Sequence, residues 1–102
     1  MKIPKSLDIR GSKWKIDVRD EADRDSEVGH RGLCNDTNRT ITIYSTGEPT
    51  EDLDTLMHEI LHVAENQGVI INYEEQVAEG IIRGLSRFLA QVMIDNNLWK
   101  MK

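Results

Sequence analysis

The pentapeptide His58-Glu59-Ile60-Leu61-His62 lies at the centre of the stretch 50–67, whose apolar residues recur with the period of a helix. Two histidines four residues apart project from one face of a helix, so both imidazoles can reach the same ion. Glu59 projects beside that ion, where its carboxylate can take a proton from water. A solvated polar face is the alternative, but the chain has only 3 histidines, and such a face would seldom use two of them at ligand spacing. The pattern predicts a zinc site with His58 and His62 as ligands and Glu59 as general base.

The apolar residues of this stretch lie on the side of the helix opposite the two histidines. Thr50 is the expected N-cap, acidic residues follow it in the first turn, and Gly68 is the expected C-terminal stop. The helix is therefore expected to anchor one side in a core and to line a cleft with the other. The stripe expected in the core consists of Leu53, Leu56, Met57, Ile60, Val63 and Ala64.

The residues that precede the helix have the alternating pattern of strands. Apolar and polar residues alternate over 7–9 and over 14–18, with Gly11 between them, which predicts a hairpin. A short strand is also expected within 29–34. The clearest strand is 39–45, in which Ile41 and Ile43 share one face and β-branched residues are frequent.

A second helix is predicted over 73–95, with a core stripe of Val77, Ala78, Ile81, Ile82, Leu85, Phe88, Leu89 and Val92. Together the patterns predict an α+β fold. In this fold a small antiparallel sheet from the strand-rich part, 1–49, packs on the motif helix and on the second long helix of the helical part, 50–102. We expect residues 1–102 to form one domain, because a chain of this length builds one modest core.

Composition restricts the classes of function. The chain is 38% hydrophobic and 30% charged, which is ordinary for a globular protein, and its net charge is −5. Because no basic run stands out, we expect no nucleic-acid partner. Cys34 is the only cysteine, so it is expected to be a buried or half-buried strand residue in a reducing compartment. No stretch resembles a signal peptide or a membrane span, and we therefore expect a cytoplasmic protein without a membrane partner.

A catalytic zinc ion needs a third protein ligand besides two histidines. No histidine follows His62, so a carboxylate of the second helix is expected to serve, and the candidates are Glu74, Glu75 and Glu79. Glu74 falls in the middle of the expected apolar stripe, whereas Glu75 and Glu79 lie one turn apart at its edge. Simple antiparallel packing of the two helices would bring Glu79 closer to the height of the histidines.

The segment Glu75-Gln76-Val77-Ala78-Glu79 makes the chain resemble the gluzincin branch of the zincin metallopeptidases. In that branch a glutamate on the helix after His-Glu-x-x-His is the third ligand, and it begins a pattern that continues with a small residue and then an acid or amide. The resemblance implies Zn²⁺ as cofactor, Glu75 as third ligand and Glu79 as an acceptor for a histidine N–H. On this basis we prefer Glu75 to Glu79 as the ligand.

More narrowly, the chain looks like small zincin-like proteins of phages and mobile elements, similar in outline to ImmA/IrrE-type peptidases. The shared outline is a strand hairpin, an Ile-x-Ile strand, His-Glu-x-x-His and a helix that bears a glutamate. It covers most of the chain, although only the motif is specific. The chain has Glu79 where ImmA-type proteins usually have Asn, which leaves the subfamily and the substrate open.

The expected function is zinc-dependent hydrolysis of a peptide bond in a polypeptide substrate. The strand 39–45 is expected to border the cleft and to pair with an extended substrate. His30, Tyr44 and Tyr73 are candidate donors to an oxyanion. The alternatives are a zinc-binding regulatory or phage accessory protein with little or no hydrolysis, and a zinc hydrolase that acts on another bond. Because the cleft of so short a chain should be shallow, a protein partner that completes it is also expected.

Overall fold

The computed structural model describes residues 3–23, 31–68, 74–96 and 98 of the chain. Neither helix within these ranges combines the length and the apolar character that crossing a bilayer requires. In chain order, the elements are β1 (Ser6–Ile9), β2 (Ser12–Asp20), a short 3₁₀ turn (Glu21–Asp23), β3 (Gly32–Asn35), β4 (Thr40–Ser45), α1 (Pro49–Asn66) and α2 (Glu75–Asp95).

The predicted hairpin forms between β1 and β2 through a two-residue turn, with Ile9 paired to Ser12. Both turn residues have positive φ, 51° at Arg10 and 87° at Gly11. Such a turn matches the right-handed twist of the strands that it connects, and glycine enters this region without strain. The turn therefore fixes the register that buries Trp14 and Ile16 on one face of β2.

The four strands form one mixed sheet in the order β1-β2-β4-β3. The predicted α+β class is confirmed, but the sheet is not antiparallel throughout, because β4 pairs with β2 in parallel and with β3 in antiparallel orientation. The insertion of β4 between β2 and β3 follows from its apolar content. Ile41 and Ile43 are fully buried, and only a central strand surrounds such residues on both sides.

The N-cap of helix α1 lies two residues before the predicted one. Glu48 is the N-cap instead of Thr50: its carboxylate accepts a hydrogen bond of 2.8 Å from the Glu51 N–H, and Pro49 takes the first helical position, which needs no N–H donor. The buried Asp52 then accepts hydrogen bonds from the Ser45 hydroxyl and the Thr46 N–H, at 2.6 and 3.0 Å. These contacts fix the start of α1 against the end of β4.

The predicted face of α1 packs on the sheet, and Leu53, Leu56 and Val63 are fully buried there. Helix α2 buries only part of the predicted stripe, in which Ala78 and Ile82 are buried as predicted. Its buried residues are Ala78, Ile82, Ser86 and Ala90, which recur every four positions and are mostly small, whereas four residues of the predicted stripe are exposed: Val77, Leu85, Phe88 and Leu89. Small side chains let α2 approach α1 closely, and the Ser86 hydroxyl donates a hydrogen bond of 2.7 Å to Asp54 on α1.

Candidate metal centre

His58 and His62 lie on the face of α1 that turns away from the sheet and towards α2. Their Nε2 atoms are 3.2 Å apart, and the two rings meet edge to face with centroids separated by 4.9 Å. Both side chains are about three-quarters buried, with exposed fractions of 21% and 26%. One helical turn thus directs two ring nitrogens at a single point, as the His-x-x-x-His spacing predicts.

Glu79 of α2 faces both histidines. Its Oε1 lies 3.0 Å from Nε2 of His58, and its Oε2 lies 3.1 Å from Nε2 of His62. Among the described residues, His58, His62 and Glu79 form a group whose ligand atoms lie within 4.8 Å of one another. We call this group the His-His-Glu cluster.

The other two carboxylate candidates lie outside the cluster. Glu74 is the N-cap of α2 and Glu75 begins its first turn, and both are exposed. The close packing of α1 on α2 brings the residue one turn further along, Glu79, to the height of the histidines. The structure therefore brings together the two predicted histidines and the alternative glutamate, and it does not bring Glu75 to them.

The donor set of the cluster suits a divalent metal ion. Two imidazoles and one carboxylate are the protein ligands of catalytic zinc in several peptidases. Ligands at about 2.0–2.2 Å from a tetrahedral ion stand about 3.3 Å from one another, and the two histidine Nε2 atoms, 3.2 Å apart, already have about this spacing. Each of these nitrogens also has one oxygen of Glu79 within 3.1 Å. Burial also lowers the pKa of His58, partly opposed by the charge of Glu79, which favours the neutral imidazole that binds metals.

Glu65 fixes the orientation of His62. Its Oε1 lies 3.1 Å from Nδ1 of His62, one turn further along α1. With its proton on Nδ1, His62 donates to this carboxylate and presents the lone pair of Nε2 to the cluster, which is the tautomer that metal binding requires. No role for Glu65 is expected from the sequence, although its position three residues after His62 is a usable signal.

Glu59 lies beside the cluster in a buried position, with only 6% of the residue exposed. Gly32 of β3 packs against it so closely that a Cβ at this position would lie 2.9 Å from Oε2 of Glu59 and 2.9 Å from Cγ2 of Thr55. Burial raises the pKa of Glu59 to about 7; His62 opposes this shift and Glu79 adds to it. A carboxyl whose pKa lies near neutrality is suited to accept and return a proton.

A cleft of about 340 Å³ opens in front of these residues, and His58, Glu59, Glu79 and Gly32 all line it. The strand next to the cleft is β3, not β4 as we predicted, because β4 occupies the interior of the sheet. Tyr44 is buried in β4 and is not among the lining residues. The other two candidate oxyanion donors, His30 and Tyr73, lie outside the described residues.

Cys34 is half-buried in β3 and packs against the core, as predicted for a strand residue. Burial, together with the charges of Asp36 and Glu59, raises the pKa of its thiol to about 12. The thiol therefore keeps its proton at neutral pH and is a poor metal ligand.

Comparison of the chain with protein-family models, with curated proteins and with solved structures gave no match. The α+β fold and the His-His-Glu cluster are consistent with a zincin-like motif.

Proposed function

We propose that this protein is a zinc-dependent metallopeptidase in which His58, His62 and Glu79 hold the ion and Glu59 is the general base. The observation that carries the proposal is the convergence of three ligand atoms from two helices beside a buried carboxyl. We choose Glu79 over Glu75 because both oxygens of Glu79 lie within 3.1 Å of a histidine Nε2.

A bound zinc ion would supply Lewis acidity, which polarises a carbonyl group and lowers the pKa of water. The carboxylate of Glu59 then accepts the proton of the attacking water and returns it to the amine that leaves. Packing of Gly32 and Thr55 against Glu59 restricts its rotamers and keeps bulk water away. Glu65 holds His62 in the tautomer that presents Nε2. The contacts that position Glu59 and His62 for these roles are all made within the protein itself.

The edge of β3 supports a polypeptide as the substrate. β3 pairs with β4 on one side and, in the described part of the chain, with no strand on the other. Gly32 at its start lines the cleft next to Glu59. An extended peptide that added to this edge would run past the general base, and its main-chain groups would satisfy those of β3. The site of strand addition that we propose is therefore β3 in place of β4.

The substitution Glu59→Gln tests the proposal. The variant keeps the size of the side chain and should still bind one zinc ion, but it cannot accept a proton, so cleavage should fall by about 10²–10⁴-fold. Metal content is measured by mass spectrometry, and turnover with a library of quenched fluorescent peptides. Glu21→Gln, an exposed change in the 3₁₀ turn, is the matched control and should leave both unchanged.

Cleavage by Glu59→Gln at the rate of the unchanged protein would remove Glu59 from the mechanism. Stoichiometric zinc without turnover of any peptide by the unchanged protein would instead favour the second candidate, a zinc-binding regulatory protein. The intact Glu59 beside the cluster is the reason to place that candidate second, because a purely structural metal site has no use for a base.

A further inference from the structure

Three arginines line the same cleft as the His-His-Glu cluster, and we call them the arginine rim: Arg31, Arg83 and Arg87. They come from the residue that precedes β3 and from two successive turns of α2. Each guanidinium lies near one carboxylate of the cleft: Arg31 and Glu51 at 3.1 Å, Arg83 and Glu79 at 3.6 Å, and Arg87 and Asp54 at 3.6 Å. The carboxylates thus hold the rim in place around the site.

The arginine is the more exposed partner in every pair. The exposed side-chain fractions are 48% against 38% for Arg31 and Glu51, 76% against 34% for Arg83 and Glu79, and 64% against 27% for Arg87 and Asp54. The guanidinium groups are therefore more accessible to a ligand from solvent than the carboxylates are.

A guanidinium carries five N–H donors, and a separation of 3.6 Å is longer than a hydrogen bond. Arg83 and Arg87 thus contact their carboxylates by charge at 3.6 Å, and within the described part of the chain their N–H groups form no side-chain hydrogen bond. A carboxylate, which accepts two parallel hydrogen bonds, is the group that matches such a fork.

The charge of the cleft depends on the metal. Its lining contains three arginines and four acids, Glu51, Asp54, Glu59 and Glu79, which is one negative charge in excess when Glu59 is ionised. A divalent ion in the cluster would reverse this to one positive charge in excess. The whole chain has a net charge of −5, so a positive cleft would be a local property of this site.

We propose that the arginine rim binds a carboxylate of the substrate, so that the protein prefers peptides with an acidic side chain or a free C-terminal carboxylate near the scissile bond. This inference rests on the proposed function, since it concerns the same site with the ion bound. It assigns to Arg31, Arg83 and Arg87 a role in selecting the substrate in addition to their contacts across α1, α2 and β3.

The test measures peptide binding to the zinc-loaded Glu59→Gln protein, so no turnover is needed. Three probes of equal length are compared: a neutral peptide capped at both ends, the capped peptide with one glutamate moved through each position, and the neutral peptide with a free C-terminus. We expect one of the anionic probes to bind about threefold to tenfold more tightly than the neutral one. The anionic probe that binds more tightly shows whether the rim recognises a side-chain carboxylate or a C-terminal one. The difference in affinity between this probe and the neutral probe should decrease at high salt.

Substitutions in the rim give the second half of the test. Arg31→Gln and Arg87→Gln together should bring the affinities of the anionic and neutral probes to within about twofold. Arg19→Gln, an exposed change in β2 away from the cleft, is the matched control and should preserve the preference. We leave Arg83 unchanged because it contacts Glu79 of the cluster.

The inference is overturned if the zinc-loaded protein binds the three probes equally or not at all, or if the preference survives in the double variant. If the protein binds no zinc, the proposed function is contradicted, and so is the role of the arginine rim, because that role requires the bound ion. A protein that binds zinc and prefers a carboxylate but never cleaves a peptide would contradict the peptidase and leave the rim standing. The two proposals can thus fail separately.

Discussion

The two glutamates one turn apart on α2 show how much the third ligand depends on helix packing. The resemblance to gluzincins favours Glu75, whereas the structure places Glu79 against both histidines and leaves Glu75 exposed. Glu79→Ala should weaken zinc binding by more than about 100-fold, since even partners that only support a ligand contribute 10–100-fold. Glu75→Ala, the matched control, should change zinc affinity little. Competition titration with a chromogenic chelator measures both, and equal losses would contradict the assignment of Glu79.

The proximity of the two histidines and Glu59 could be predicted because their relation is local. His58, Glu59 and His62 belong to one helical turn, and the period of the helix alone places them together. Glu79 could not be chosen with the same certainty because its position depends on the offset between two helices. That offset is set by the small residues Ala78 and Ser86, whose role becomes visible only when α2 is packed on α1.

Glu59 also gives the metal-free protein a pH-dependent stability. Its pKa is about 7 in the fold and about 4.5 in an unfolded chain, so the folded state holds more protons between these values. The contribution of this group is complete below about pH 4.5 and is lost as the pH rises through about 7. Between about pH 5 and about pH 8 the free energy of unfolding should fall by about 2 kcal/mol more in the unchanged protein than in Glu59→Gln.

Urea unfolding in the presence of a chelator measures this difference at the two pH values. The lowered pKa of His58 makes its own contribution with the opposite slope, but it is present in both proteins and largely cancels from the comparison. Parallel pH profiles of the two proteins would show that Glu59 is not buried as described.

At the scale of elements, β3 and α1 approach most closely at Gly32. Gly32→Ala should push its new methyl group into Glu59 and Thr55, which requires a shift of the strand or of the general base. We expect a loss of about 1–3 kcal/mol in the free energy of unfolding and a lower rate of cleavage. Gly84→Ala is the matched control: its Cβ would meet no atom within 4 Å, and it should stabilise α2 by about 0.5–1 kcal/mol.

Thermal or urea unfolding, together with the peptide assay, distinguishes the two glycines. A neutral effect of Gly32→Ala on both stability and cleavage would show that β3 does not press on the base.

The elements themselves were more predictable than their arrangement. Alternation and turn residues located the hairpin, β4 and α1 because these signals are local. The parallel pairing of β2 with β4 joins residues far apart in the sequence, which no local pattern records. The buried face of α2 was predicted only in part, through Ala78 and Ile82, because the apolar residues of this helix cover more than one face. The core selected the face with the smaller side chains, and Phe88 remains 66% exposed.

For the whole molecule, the proposed ion would cross-link α1 to α2, because its ligands come from both helices. Anything that binds the folded state alone stabilises it, and zinc at about 100 times its dissociation constant should add about 2.7 kcal/mol. The melting temperature should therefore rise with zinc and fall when a chelator removes it. Glu79→Ala should lose most of this response, as measured by differential scanning fluorimetry. A melting temperature of the unchanged protein that stays the same with and without zinc would contradict the proposed metal site.

The reactivity of the Cys34 thiol can be used to measure how often β3, the strand beside the cleft, detaches from the fold. Alkylating reagents react with the thiolate, and a group with a pKa of about 12 offers almost none of it at neutral pH. Labelling of Cys34 should thus be slow while β3 stays packed, and should accelerate whenever that strand detaches and the sulfur reaches water. Gly32, which packs against Glu59, and Cys34 belong to the same strand. The labelling rate of Cys34 would therefore report how often β3 moves away from Glu59.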